Sequence, residues 1–163
     1  ELHLDAFSRI REGNGVDARA ALERSADERQ PLKGRLNGQS FSSFRDSDDI
    51  LGPILECFVK GAYVWLPLEQ IRKLTIGQPK HLRDLLWIQA TVELADLPPG
   101  DIFLPVLYQG SQQEDDDQIK LGRMTDWRAV AEGIAVGMGQ RTFLVDGEEK
   151  AILEMRELEV AVG

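Results

Sequence analysis

The sequence predicts an α+β protein. A helical hairpin comes first, then a mixed or antiparallel curved sheet, barrel-like in form, that carries short helices. Three observations lead there. Apolar residues recur at helical spacing, with clear stop signals, over residues 2–30. Leu86, Ile88, Ala90, Val92 and Leu94 alternate strictly with Trp87, Gln89, Thr91 and Glu93, the pattern of a strand with one buried face. Most later connections are short and hairpin-like, which argues for antiparallel neighbours and against a doubly wound parallel sheet.

In chain order, Leu4, Phe7 and Ile10 place an apolar face on a helix over Leu2–Arg11, and Gly13-Asn14-Gly15 stops it. Residues 16–30 read as a second helix, started by Asn14 or Asp17 and ended by Pro31. The pair fits either the tail of a helical-repeat array or a simple cap on the domain that follows. Residues 36–44 open the sheet region. Asp46-Ser47-Asp48-Asp49 reads as a polar turn whose Asx side chains bond nearby backbone. Residues 53–59 and 62–66 form a hairpin across Lys60-Gly61. Pro67, followed by Leu68, Ile71 and Leu74 three apart, predicts a short amphipathic helix closed by Gly77 and Pro79. A helical turn is expected over residues 80–84.

After the alternating strand, Leu97-Pro98-Pro99-Gly100 connects to a buried strand over residues 102–108. Ile102-Phe103-Leu104-Pro105 echoes Val64-Trp65-Leu66-Pro67, a short match that would fit an internal duplication. Residues 112–118 read as a solvated acidic loop. Residues 128–136 suit helix or strand, and Gly137-Met138-Gly139 forces a bend. Residues 140–145 and 149–160 form a hairpin about Asp146-Gly147. A change of apolar parity between Leu153-Met155 and Leu158-Val160 predicts a bulge or an edge.

A length of 163 residues suits one domain, or one domain plus a fragment. Residues 1–34 are expected to be the helical segment and 35–163 the β-rich domain. Net charge of -9 and a pI near 4.7 argue against nonspecific nucleic-acid binding and against an anionic membrane surface. The single cysteine, Cys57, excludes an internal disulfide and reads as a buried, reduced thiol. The most apolar region, residues 85–107, is interrupted by Glu93, Asp96, Pro98, Pro99 and Asp101, so no membrane insertion is expected. The N-terminus has no apolar core of a signal peptide, which points to the cytoplasm. It also lacks a Met, so an upstream part is expected.

The acidic run Glu114-Asp115-Asp116-Asp117, with Asp126 further on, is the candidate for a divalent metal and for the rival reading, a metal-dependent enzyme. Hard cations need oxygens converging from different directions, whereas consecutive loop residues diverge, and EF-hand spacing is absent. The plainer reading is a solvated loop. Only His3 and His81 could supply an imidazole base, and no G-x-S-x-G elbow surrounds Ser111. Gly137-x-Gly139 lacks the third glycine of a dinucleotide fingerprint, no glycine-lysine pair offers a P-loop, and Cys57 and the histidines lack zinc-ligand spacing. No catalytic residue, metal or cofactor is predicted.

Seven residues remain as candidates: Trp65, Arg83, Asp84, Trp87, Arg123, Asp126 and Trp127. Arg83-Asp84 and Arg123-Asp126 beside tryptophans read first as buried ion pairs and cation–π stacks. The functional alternative is a partner-binding surface, since Trp, Tyr and Arg dominate binding hot spots. Trp87 is the best case, because alternation places it on the non-core face of its strand.

At these positions the chain resembles the ImpE/TagJ (SciE-type) accessory proteins of bacterial type VI secretion systems. The matching segments are Tyr63-Val64-Trp65-Leu66-Pro67 with Ile71; Pro79-Lys80-His81-Leu82-Arg83-Asp84-Leu85-Leu86-Trp87; and Ile102-Phe103-Leu104-Pro105 with Leu107-Tyr108 and Gly110-Ser111. Asp116-Asp117, Leu121-Gly122-Arg123-Met124-Thr125-Asp126-Trp127, Gly137-Met138-Gly139-Gln140-Arg141 and Leu153-Glu154-Met155-Arg156 complete the likeness, which covers roughly residues 35 to 160. Gln109 and Gln89 stand where the family favours proline. The resemblance implies a tetratricopeptide-like region before the domain, with residues 2–30 as its last helices. It implies a non-enzymatic accessory role, with the sheath small subunit as partner and a link to sheath disassembly by the ClpV ATPase. It carries over no catalytic residues and does not fix the binding face, for which an amphipathic partner helix in an apolar groove is the expected mode.

Overall fold

Alternation of buried and exposed side chains recurs along most of the chain in the computed structural model, which describes residues 2–161. The outer ends of the two expected segments, residue 1 and residues 162–163, lie outside the described residues. Two helices, α1 (Leu2–Arg11) and α2 (Gly15–Asp27), form the expected hairpin. Asn14 caps α2 by accepting from the Asp17 amide at 3.3 Å. The strands that follow are β1 (Gly34–Leu36), β2 (Gln39–Phe41), β3 (Phe44–Asp46), β4 (Ile54–Val59), β5 (Ala62–Pro67), β6 (Ile71–Ile76), β7 (Trp87–Leu94) and β8 (Gly100–Pro105). The short helix α3 (Asp117–Lys120) precedes β9 (Thr125–Ala131), β10 (Ile134–Gly139), β11 (Thr142–Val145), β12 (Glu148–Ala151) and β13 (Glu157–Val160).

Eight strands make the main sheet in the order β2-β1-β13-β6-β7-β8-β4-β5, and every neighbouring pair is antiparallel. The sheet is open. Its edges are β2 and β5, so the expected barrel-like closure does not occur among the described residues. β12-β11-β3 form a second sheet, and β9 and β10 a separate hairpin. The core lies against one face of the main sheet, where Leu55, Leu74, Ile88, Leu104 and Leu158 meet Phe143 of β11 and Met155. Phe143 stacks on Phe44 with ring centroids 5.1 Å apart. Cys57 is buried among these residues as a free thiol, as expected. A second apolar cluster joins Ala6, Ala18 and Ala21 of the helices to Ile50 and Ile134.

Several local expectations are corrected. The amphipathic helix over Leu68, Ile71 and Leu74 is a 3-10 turn, Leu68–Gln70, followed by β6. The register of β6 against β7 shifts between Ile71 and Lys73, so Arg72 is an inserted bulge residue. The bulge brings Ile71 and Leu74 onto the same buried face although they are three apart, which imitates helical spacing. Residues 128–136, left open between helix and strand, belong to β9 and β10. The expected strand over 149–160 is two strands in different sheets, β12 and β13, divided by a 3-10 turn at Ile152–Glu154. That division is the cause of the parity change. Part of the acidic loop is helical, as Asp116 caps α3 by accepting from the Gln118 amide at 2.7 Å.

Leu74 is 1% exposed at the centre of the main sheet. Leu74→Ala is expected to lower the unfolding free energy by about 3 kcal/mol. Arg72→Ala, at the exposed bulge, should stay within about 0.5 kcal/mol of the parent. Denaturant titration followed by tryptophan fluorescence measures both.

Candidate functional site

Among the described residues, the only arginine that is fully buried is Arg141, and the residues around it organise the site. Arg141 and Asp46 are each 0% exposed, and Glu56 is 6% exposed. Arg141 donates through Nη1 to Asp46 Oδ2 at 3.4 Å and through Nη2 to Glu56 Oε2. Its guanidinium also lies over the Tyr108 ring, 5.2 Å from the centroid. The Tyr108 hydroxyl donates to Asp46 Oδ1 at 2.8 Å and accepts from the Thr142 amide at 3.2 Å. Burial opposes the charge on Arg141, yet Asp46 and Glu56 more than offset that and hold its pKa above the ordinary arginine value. One guanidinium does not satisfy every buried carboxylate. Burial pushes Asp46 up to about 7, against the pull of Arg141 and the Asp48 amide. Asp48 is also shifted upward by burial, and Tyr108 is pushed up by burial and by the Asp46 charge.

The turn at residues 46–49 forms an internal socket. Asp46 Oδ1 accepts from the Asp48 amide at 2.9 Å, an Asx turn as expected. Asp48 Oδ1 accepts from Ile50 and Leu51, and its Oδ2 accepts from the Gly137 amide at 2.9 Å. Asp49 accepts from the Ala135 amide at 2.8 Å. Ser47 Oγ accepts from the Thr142 hydroxyl at 2.9 Å. The turn therefore grips β10 and the start of β11. The glycines of Gly137-Met138-Gly139 make this possible. A Cβ on Gly137 would lie 2.3 Å from the Tyr108 ring. Gly139 has φ +89°, and a Cβ there would lie 2.0 Å from the Met124 carbonyl oxygen.

Glu56 links this charge cluster to the surface. On β4, Leu55 and Cys57 face the core, so Glu56 and Phe58 take the opposite face. The Tyr63 hydroxyl donates to Glu56, and the Trp65 indole donates to the Tyr63 oxygen at 2.6 Å. Burial and the bond to Glu56 push the Tyr63 hydroxyl upward. Phe58 lies 5.3 Å from Tyr63 and meets Trp87 edge-to-face at 4.9 Å. Phe103 sits beside Phe58 in the register of β8 and β4. Tyr63, Trp87 and Phe103 are 50%, 44% and 49% exposed. An aromatic row thus crosses β7, β8, β4 and β5 on the face away from the core.

The seven predicted residues fall in three places. Trp65 lies at one end of the row, partly covered by Phe7 of α1 at 6.1 Å. Trp87 lies at the other end, on the non-core face as expected. Arg83 and Asp84 sit in the 3-10 turn Leu82–Leu85 just before β7. They do form the expected ion pair, Arg83 Nε to Asp84 Oδ1 at 3.7 Å, but it is not buried. The Arg83 side chain is 82% exposed, and Asp84 Oδ2 also accepts from the Lys80 and His81 amides at 2.8 and 2.9 Å, which lowers its pKa. Arg123 and Asp126 are exposed, and no ion pair joins them among the described residues. Asp126 accepts from the Trp127 amide at 2.8 Å, and Trp127 packs near Tyr108 at 6.0 Å. The cation–π contact belongs to Arg141 and Tyr108, which were not singled out in the sequence. The rival metal set does not converge: among the described residues no group of three His, Cys, Asp or Glu has metal-ligating geometry. Asp115, Asp117 and Asp126 point to solvent, and Glu114 pairs with Arg128. Among the described residues no helix is long and apolar enough to cross a membrane.

These features define a β-rich α+β domain that presents an aromatic sheet face, braced from inside by a buried charge cluster. The chain belongs to the ImpE protein family, whose model matches residues 38–159. It is 38% identical over 156 residues to the type VI secretion system accessory component TagJ of Pseudomonas aeruginosa, covering 96% of this chain and 54% of that protein. It is also similar to a crystal structure of a Vibrio parahaemolyticus protein, with TM-score 0.89 and 26% identity, over 98% of this chain and 60% of that one. The chain therefore spans about half the length of the curated relative it matches.

Arg141→Leu leaves two buried carboxylates without their cation and is expected to cost about 3–5 kcal/mol in denaturant unfolding. Asp46 gives a pH signature. Its folded pKa, about 7, lies above the unfolded value, so the folded state holds an extra proton between about 4 and 7. The stability this contributes is full at the acidic end of that window and is lost as pH rises through 7. Asp46→Asn should flatten that part of the stability–pH curve by up to about 1.4 kcal/mol per pH unit. His3, whose pKa burial lowers, acts in the opposite sense and is common to both proteins. Thermal unfolding of parent and variant at pH 5, 6, 7 and 8 isolates the difference.

Proposed function

We propose that this chain is a non-enzymatic accessory or adaptor component of the type VI secretion system. In this reading it works in the cytoplasm, binds the small subunit of the contractile sheath, and so bears on ClpV-driven sheath disassembly. Family membership and the accessory-component relative support the system. The observation that carries the binding mode is the exposed aromatic row of Trp87, Phe103 and Tyr63. An amphipathic partner helix laid across it would bury three large, rigid side chains at low entropic cost.

Trp87 and Arg83 are the proposed contacts at one end of the row. Trp65 and Asp84 act by positioning, the first through Tyr63 and the second by holding the turn that precedes β7. Arg123, just before β9, and Asp126 and Trp127 on it are proposed as a separate contact. The reading of residues 1–34 as the last helices of a tetratricopeptide-like region, with 35–163 as the domain proper, belongs to the same proposal. The observed helix pair and the greater length of the relatives support it.

Calorimetric titration with the purified sheath small subunit tests the proposal. Trp87→Ala is expected to weaken binding by about 30-fold, or 2 kcal/mol, with little change in unfolding midpoint because the indole is exposed. An affinity that Trp87→Ala and Phe103→Ser both leave unchanged would remove the row from the interface. No heat of binding with the parent protein would remove the partner.

A further inference from the structure

A cleft of about 590 Å³ opens where the end of α2 and the segment after it meet β3 and β11. Leu22, Leu32, Phe44, Leu68 and Leu144 give it an apolar lining. Its charged side chains are mostly paired with one another. Arg19 donates to Glu23 at 2.8 Å, and Arg45 donates to Asp49 at 3.2 Å. His3 uses both ring nitrogens, toward the Ile50 carbonyl at 2.6 Å and the Ser25 hydroxyl at 2.9 Å. Two have no ion pair among the described residues, the exposed Glu69 and Arg29, and only Arg29 is partly buried. It lines the cleft, and its Nη1 is sealed from solvent with no hydrogen-bond partner among the described residues. After burial and the bond to Ile50, its charge is the next influence on His3, which it lowers.

A guanidinium carries five donors and stays charged, so a desolvated nitrogen without an acceptor is costly. The cleft thus offers apolar volume and one cation that has no anion paired with it among the described residues. We propose that it binds a peptide segment that brings a carboxylate side chain to Arg29 and an apolar side chain onto Leu22, Leu32 and Leu144. A carboxylate fits because it can meet the guanidinium through two parallel hydrogen bonds. A peptide fits better than a free anion because Glu69, which has no cationic partner among the described residues, also lines the cleft, in a chain of net charge -9. These repel a lone anion, whereas a peptide offsets them with neutral or basic flanks. The inference stands apart from the sheath reading, since it concerns one cleft and one chemistry.

Methyl NMR on the protein at its full natural length, with labelled leucines, tests it with two probes, Ac-Leu-Glu-Leu-NH2 and its glutamine counterpart. The glutamate peptide should shift the methyls of Leu22, Leu32 and Leu144, and bind at least tenfold more tightly than the glutamine peptide. Arg29→Met should abolish that preference, and Arg29→Lys should keep part of it. Without peptide, Arg29→Met should melt at or above the parent temperature, because it removes a partly buried cation whose sealed Nη1 has no acceptor among the described residues. Equal binding of the two peptides, no shift at millimolar peptide, or a lower melting temperature for Arg29→Met each overturns the proposal. So does octanoate that shifts the same methyls when the peptide does not, which would assign the cleft to a small anionic amphiphile.

Discussion

The structure depends on one buried cation. Arg141 stands just before β11 and reaches Asp46 at the end of β3, Glu56 in β4 and the ring of Tyr108 after β8. These four residues come from distant parts of the chain, and their meeting fixes how the small sheet sits against the large one. Taking an arginine out of water costs several kcal/mol, which only well-placed acceptors recover. Any packing that separates the partners leaves charges stranded in a dry interior, so alternative arrangements of the strands are penalised more steeply than apolar contacts alone would penalise them. The buried excess of carboxylate is a local cost, and Asp46 relieves it by holding a proton in part of the population near neutral pH.

The same sheet face carries two kinds of side chain in sequence. At Glu56 it is charged and covered, and at Phe58, Phe103 and Trp87 it is aromatic and open. Glu56 serves both regions, since one carboxylate oxygen takes Arg141 and the other takes the Tyr63 hydroxyl. A surface tyrosine held in this way has already lost much of its freedom before any partner arrives. The exposed aromatics therefore form a preorganised surface rather than a loose apolar patch.

The fold was legible where a local period dominates. The alternation along β7 and the Lys60-Gly61 hairpin are both realised, because each follows from neighbours in the chain. It was misread at β6, where the bulge at Arg72 turned a period of two into a spacing of three. The acidic turn at residues 46–49 was correctly read as a turn but not as an interior one. Nothing local distinguishes a solvated Asp-rich turn from one that receives Arg141 from 95 positions away. Barrel closure was likewise out of reach, because it depends on whether β2 and β5 meet, which no local pattern encodes. For the site, parity alone placed Trp87 on the outer face. Arg83 pairs with Asp84 only at the surface, and Arg123 and Asp126 do not pair among the described residues, because nearness in sequence gave no information about burial or competing backbone partners. The Lys80 and His81 amides claimed Asp84, and the Trp127 amide claimed Asp126. The one motif that pointed inward was Gly137-Met138-Gly139-Gln140-Arg141. Two close-packed glycines beside an arginine signal a crowded interior better than a flexible bend.

The helical hairpin takes part in the surface as well as in the fold. His3 of α1 binds the Ile50 carbonyl and the Ser25 hydroxyl, so it ties both helices to the loop after β3. Phe7 of the same helix leans on Trp65. The Trp65 indole donates to Tyr63, and Tyr63 rests on Glu56 and Phe58. A displacement of α1 would therefore uncover Trp65, loosen the donor that orients Tyr63, and reach the row that ends at Trp87. The coupling needs no long-range pathway, since each step is a direct contact between neighbours. It makes the helices the natural point from which a contact on α1 could act on the sheet face, and it places that influence at the end of the row opposite Trp87.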